Sequence, residues 1–181
     1  MKPIGLYIHI PFCKGKCPYC DFYSVTPHGS VIEDYTAEVC RRLSAETRIF
    51  DTVYFGGGTP SLLGAENICR ILGSVNAADG CEMTLECNPS DTGGRGSNFD
   101  FRAVADAGID RISMGLQSSS DSERRFLGRR AGADDAERAV ERANAAGIDN
   151  ISLDLMLGLA GQSTESVGRS IEFCRRLGAS I

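Results

Sequence analysis

No stretch of this 181-residue sequence concentrates lysine and arginine: 19 basic residues stand against 24 acidic ones, for a formal charge of -5. A surface that grips nucleic-acid phosphates, or a polybasic membrane anchor, needs clustered cations, so neither is expected. Long apolar runs are missing too. Hydrophobic residues make up 42% of the chain, yet no run approaches the roughly 20 residues that cross a bilayer. An export signal is equally absent, because His9 and Pro11 interrupt the N-terminal apolar residues before an h-region forms. These absences predict a soluble, cytoplasmic chain, and its length suits one domain with a real core.

Cysteine, by contrast, is abundant, with eight residues. Without an export signal, disulfides are a poor reading of them. Cys40, Cys69, Cys81, Cys87 and Cys174 are scattered through apolar periodic segments and read as small buried hydrophobes. Cys13, Cys17 and Cys20 cluster in one short stretch, and only these are expected to carry chemistry.

Short β-type runs alternate with helical stretches along the chain. Leu6 to Ile10 reads as a strand, after which Ile32, Tyr35, Val39 and Leu43 mark one face of a helix. Thr52 to Phe55 is a second β-rich run, closed by Gly56, Gly57 and Gly58 and followed by the helical stripe Ile68, Ile71, Leu72 and Val75. A third strand covers Glu82 to Cys87 and stops at Asn88 and Pro89. The glycine-rich stretch from Thr92 to Ser97 predicts a flexible loop before a helix bearing Phe101, Val104 and Ala105.

Two junctions then nearly repeat, with Ala107, Gly108, Ile109 and Asp110 matched by Ala146, Gly147, Ile148 and Asp149. Each reads as a helix stopped by glycine that re-enters a strand, and a third copy begins at Leu177 and Gly178. Recurring units of strand, loop and helix imply parallel strands with helical crossovers. The expected fold is α/β, a partial, open β/α barrel over residues 1–181. A complete barrel of eight units takes about 250 residues, so the chain is expected to break off before a sixth strand. Its fifth strand should then present an open edge and promote self-association.

Ligands of parallel β/α folds gather at the C-terminal ends of the strands. There, after the first strand, three thiols are spaced Cys-x3-Cys-x2-Cys and can converge on a metal centre. Iron–sulfur clusters usually take four cysteines, so three would leave one iron open. A zinc site completed by His9, or three ordinary thiols, are the alternatives. Lys14 and Lys16 read as solvated loop lysines. Glu86 alternates with Thr84 and Glu82 on one strand face, where a carboxylate can accept bonds from an ammonium or from hydroxyls. Gln117 and Asp154 each close an apolar strand, Arg129 alone reads as a solvated helix-end charge, and Met156 reads as core.

The cysteine loop resembles the signature of the radical S-adenosylmethionine (radical SAM) enzymes. The wider run from Tyr7 to Phe22, with Cys-Pro-Tyr-Cys-Asp-Phe, is similar to the branch that holds the oxygen-independent coproporphyrinogen III oxidases and the HemW haem chaperones. Phe55-Gly-Gly-Gly-Thr-Pro-Ser61, Thr84-Leu-Glu-Cys-Asn-Pro89, Ser113-Met-Gly-Leu-Gln-Ser118, Leu127-Gly-Arg129 and Asp154-Leu-Met-Leu-Gly158 follow in that family's order. The resemblance implies a [4Fe-4S] cluster on Cys13, Cys17 and Cys20, with S-adenosylmethionine on its open iron and cleaved to a 5'-deoxyadenosyl radical. It implies cofactor contacts from Tyr7, Tyr19, Gly57, Gly58, Thr59, Glu86, Gln117, Arg129 and Asp154. It also implies a haem or porphyrinogen-type partner and an electron donor such as flavodoxin or ferredoxin.

Three departures qualify the resemblance. Arg130 and Ala131 stand where Leu-Gly-Arg-x-His is usual, and Ala160 replaces a proline after Gly158 and Leu159. Asp21 follows Cys20 where oxidase-type members tend to carry a further glycine-cysteine pair, which leans toward the chaperone side. The C-terminal half implicated in tetrapyrrole binding has no counterpart in this sequence, so an inactive or split fragment is a third reading.

Overall fold

The computed structural model describes residues 4–129 and 131–181; Arg130, one of the departures from the family pattern, lies outside the described residues. Five strands, β1 (Gly5–Ile10), β2 (Phe50–Gly57), β3 (Ala77–Cys87), β4 (Arg111–Gln117) and β5 (Asn150–Leu155), form one sheet in chain order. Every neighbouring pair is parallel. The crossovers run through α1 (Val31–Ser44), α2 (Gly64–Leu72), the short α3 (Pro89–Thr92), α4 (Phe101–Asp106), α5 (Asp121–Phe126) and α6 (Ala133–Ala145). Helix α7 (Thr164–Arg176) follows β5. The expected open β/α barrel is what forms.

Side-chain alternation along the strands decides which face meets the helices. Ile8, Ile10, Val53, Phe55, Leu85, Ile112, Met114, Ile151 and Leu153 are buried in one core with Leu43, Ile68, Ile71, Val104, Val140 and Cys174 from the helices. Each such aliphatic or aromatic side chain contributes about 1.5–3 kcal/mol on leaving water. The intervening positions, Tyr7, His9, Tyr54, Thr84, Glu86, Arg111, Ser113, Ser152 and Asp154, supply the other, polar face.

The near-repeated junctions share one geometry. Gly108, Gly147 and Gly178 all have positive φ (115°, 90° and 71°). The amide that follows each one bonds back into the preceding helix: Ile109 to Val104 O, Ile148 to Ala143 O and Ala179 to Cys174 O. A left-handed glycine with that return bond ends a helix and aims the chain back at the sheet. The third junction delivers Ser180 to β5, where its amide reaches Ile151 O and its carbonyl accepts from Leu153, each at 2.9 Å. The outer edge of β5 is therefore paired at this point, not open along its length as expected.

Two further expectations fail. The stretch from Thr92 to Ser97 is clamped: Arg138 Nε donates to Gly93 O at 2.8 Å, and Arg142 donates to Thr92 O and Phe99 O. Gly93 lies against Asp135 O and Ala139 of α6, a contact too close for any β-carbon. Met156 is not among the core residues. It sits half-buried past β5, where its amide donates to Gln117 O at 2.9 Å.

Candidate functional site

All five strands end at the same rim of the sheet, and the loops that leave it carry the candidate residues. The loop after β1 is built onto the end of β2. Gly58 donates to Ile10 O at 2.8 Å and Thr59 to Phe12 O at 2.7 Å, which extends the β1–β2 ladder beyond both strands. Cys13 is fixed next, its amide bonded to Val25 O at 3.0 Å and its Sγ 3.5 Å from Thr59 Oγ1. Cys13, Cys17 and Cys20 are free and half-buried. They line one cavity of about 230 Å³ with Tyr19, Thr59 and Arg129.

A second cavity of about 190 Å³ adjoins it and is lined by Gly57, Glu86, Gln117 and Asp154. Tyr19, Cys20, Gly58, Thr59, Asn88 and Arg129 line both. Eleven of the twelve expected residues are thus gathered along two adjoining spaces. The twelfth, Tyr7, lines neither. It is exposed on β1, stacked on Tyr54 with ring centroids 5.9 Å apart.

The three consecutive glycines have an internal reason. A β-carbon on Gly56 would meet Tyr54 and Tyr7, on Gly57 the His9 ring at 2.6 Å, and on Gly58 the Phe12 carbonyl at 2.6 Å. The absence of side chains lets β2 lie against β1 and the cysteine loop, before any ligand is considered. His9 itself stands within reach of Tyr7 Oη (3.5 Å) and Tyr23 O (3.3 Å) and does not line the thiol cavity. His9 is therefore not gathered with the three thiols in this structure. Among the described residues, no three His, Cys, Asp or Glu side chains close on a point that would suit one metal ion.

Charge in the second cavity is dominated by two carboxylates. Burial pushes the Glu86 carboxyl above its ordinary range, while bonds from Tyr54 Oη (2.8 Å) and the Gly57 amide (3.2 Å) pull it back. Partial burial likewise raises Asp154, opposed by the Arg111 and Arg129 guanidiniums. The Tyr19 phenol is pushed up to about 12, mainly by burial and against the pull of Arg129, with Cys17 and Cys20 adding to the rise. Two carboxylates and the Arg129 guanidinium around one space suit a ligand carrying both a cation and an anion.

Position at the rim is refined by a β-bulge. Gly115 pairs with Asp154 and Gln117 with Leu155, so Leu116 is an extra residue in β4. Gln117 takes φ 69°, the one left-handed non-glycine among the described residues. Bulges re-aim side chains beside functional sites. Arg129 is not a solvated charge: its guanidinium donates to Gly115 O, in space that a β-carbon on Gly115 would occupy. Tyr54 and Asn88 escaped the sequence reading. The parity of Tyr54 with Gly56 on β2 was the available signal for the first, and the place of Asn88 directly after β3 for the second.

Comparison with known proteins places the chain in a family. A family model described as the radical SAM superfamily matches residues 7–174. Heme chaperone HemW of Haemophilus influenzae is 39% identical over 179 residues, covering 91% of this chain and 46% of that protein. HemW of Escherichia coli is 40% identical over 175 residues, covering 91% and 45%. The chain therefore spans a little under half the length of these curated relatives. Among solved structures, the coproporphyrinogen III oxidase HemN of Escherichia coli superposes with a TM-score of 0.82 at 23% identity, over 98% of this chain and 42% of that one. Methylornithine synthase (PylB) gives 0.65 at 14% identity, over 97% and 50%. A family match that runs from residue 7 to residue 174 has one reading: the chain belongs to the radical SAM superfamily.

Proposed function

We propose that this chain is the cluster- and S-adenosylmethionine-binding part of a HemW-like haem chaperone. The observation that carries the reading is the pair of adjoining cavities, one lined by three thiols and the other by Glu86, Asp154, Gln117 and Arg129. Members of the superfamily generally use a [4Fe-4S] cluster and S-adenosylmethionine. Cysteines spread around a cavity suit a polynuclear cluster, whose ligands sit on different irons, better than a single ion. When bound, the cluster would supply the electron that cleaves S-adenosylmethionine to a 5'-deoxyadenosyl radical. Cys13, Cys17 and Cys20 are its three ligands in this reading. Glu86 and Asp154 take the cationic groups of S-adenosylmethionine, Arg129 its carboxylate, and Gln117 and the Gly57–Thr59 backbone its remaining polar atoms. Tyr19 packs between the two ligands, and Tyr7 acts only through Tyr54 and Glu86.

Identity with the HemW relatives supports the chaperone role, as does Asp21 directly after Cys20. Haem is then the cargo, and a small flavodoxin- or ferredoxin-type protein the electron source. Oxidative decarboxylation of a porphyrinogen is the second reading, favoured by the fold likeness to HemN.

Anaerobic reconstitution with iron and sulfide tests the site. Cys13→Ala, Cys17→Ala and Cys20→Ala should each abolish most bound iron and the broad visible absorption, whereas Cys69→Ala and Cys174→Ala should retain both. Equal loss in the two sets would overturn the assignment. Haemin titration of the reconstituted chain, alone and extended to the full length of its relatives, then tests the cargo. Decarboxylation of coproporphyrinogen by the extended chain would replace chaperone with oxidase.

A further inference from the structure

Asp91 is an unusual carboxylate for a loop helix, because its side chain is only 6% exposed. A carboxylate withdrawn from water is costly unless it is paired. Its partner is Lys14, in the middle of the cysteine loop and 77 residues away in sequence, with Nζ 2.5 Å from Oδ1. Among the described residues, this is the one hydrogen bond or ion pair that ties residues 14–19 to a distant part of the chain. Within that stretch, Cys17 O accepts only a local bond from the Cys20 amide, and Pro18 merely packs on Gly128.

The two ends of the pair differ in rigidity. Asp91 sits in α3, directly after the strand that carries Glu86, and α3 is held from several sides. Asn88 caps it through the Ser90 amide, Ser97 Oγ donates to Asp91 O, and Arg142 and Arg138 hold Thr92 O and Gly93 O. Lys14 belongs to a loop with no such support, and its side chain is 65% exposed. Both residues line the thiol cavity. An ion pair between a fixed platform and a free loop transmits the platform's position to the loop.

We propose that Lys14 and Asp91 are positioning residues that hold the Cys17–Cys20 segment against the cavity, an inference that rests on the cluster reading above. Lys14 belongs to the sequence between the thiols and Asp91 to α3, and neither is itself a thiol. It sets how much of the cluster site is already formed before iron arrives.

The test uses the chain both without and with iron. Pulsed iodoacetamide labelling of the apo chain, mapped by mass spectrometry, follows each cysteine in Lys14→Met, Asp91→Asn, the double variant and Lys14→Arg. Cys17 and Cys20 should label roughly fivefold faster in both single variants, equivalent to about 1 kcal/mol of lost loop fixation. The double variant should be no faster than either single one, because one pair is lost in all three. Lys14→Arg should restore the slow rate, and Cys69 and Cys174 should not change. A purely electrostatic role would split the single variants, since only Lys14→Met removes the cation that favours thiolate. Iron loss to a chelator from the reconstituted chain should follow the same order. Additive or opposite effects, no change, or faster labelling of Cys69 and Cys174 as well would each overturn the tether. Failure of the parent chain to take up iron would sink the cluster reading while the labelling still decided the tether.

Discussion

The two faces of the sheet are made by the same strands and obey opposite rules. Towards the helices, Ile8, Val53, Phe55, Leu85, Ile112 and Leu153 are almost wholly dry. On the other face, Tyr54, Glu86, Ser113, Arg111 and Asp154 carry hydrogen-bonding groups and charge, with Glu86 and Asp154 at the rim. One residue of shift in register would exchange the two sets, so strand pairing fixes stability and chemistry together. The lesson is that the helix-covered face tolerates no loss of volume, whereas the polar face is sensitive to charge and to the exact placing of backbone.

Truncation on the dry face should give the largest effect. Phe55→Ala empties a fully buried site and should cost about 3–5 kcal/mol, read as a fall in the urea midpoint. A loss below about 1 kcal/mol would show that the two faces are less different than their burial implies. Next comes Gly58→Ala at the rim, whose β-carbon would lie 2.6 Å from Phe12 O and 2.9 Å from Ile10 O. Backbone cannot step aside as a side chain does, so about 1–3 kcal/mol is expected, with Cys13 displaced as well. Unchanged stability and unchanged Cys13 labelling would mean that the ladder beyond β1 and β2 is not rigid.

Acidity separates the faces further. Because burial raises the folded-state pKa of Glu86, the native chain holds that proton more tightly than the unfolded one. The stabilisation is complete below the ordinary glutamate value near pH 4.3 and is lost as pH rises through the higher folded value. Glu86→Gln should flatten this decline in urea titrations at successive pH, leaving the contribution of Asp154 in the same direction. Parallel curves would contradict it. Gly115→Ala should cost least, under about 1 kcal/mol, since its β-carbon meets the movable ends of Arg129 and Gln117. Its signature is weakened S-adenosylmethionine binding at nearly unchanged stability, and tight binding would remove Arg129 from the site.

Much of this could be read from the sequence because it is encoded locally. The glycine-stopped helices at Gly108, Gly147 and Gly178, the strand alternation and the cysteine spacing each depend on neighbours a few residues apart. What stayed hidden depends on partners far along the chain. Nothing near Lys14 announces Asp91, nothing in the glycines from Gly93 onward announces Arg138 and Arg142, and the extra residue Leu116 is visible only against the register of β5. Gly57 and Gly58 were legible as cofactor contacts through the resemblance, but the neighbour they admit is first the protein's own β1 and the loop after it.

Strand order that copies chain order also permits a simple sequence of assembly. Each strand pairs with the one made just before it, so the sheet can grow from its N-terminal side as the polypeptide leaves the ribosome. The thiols are made first, the glycine turn and Glu86 follow, and Gln117, Arg129 and Asp154 come last. A nascent chain therefore carries its three cysteines, of which Cys13 lies against Thr59 at the end of β2, before the strand bearing Asp154 exists. The two cavities are thus completed last by Gln117, Arg129 and Asp154, so the order of strands in the sheet is also the order in which the candidate site is filled in.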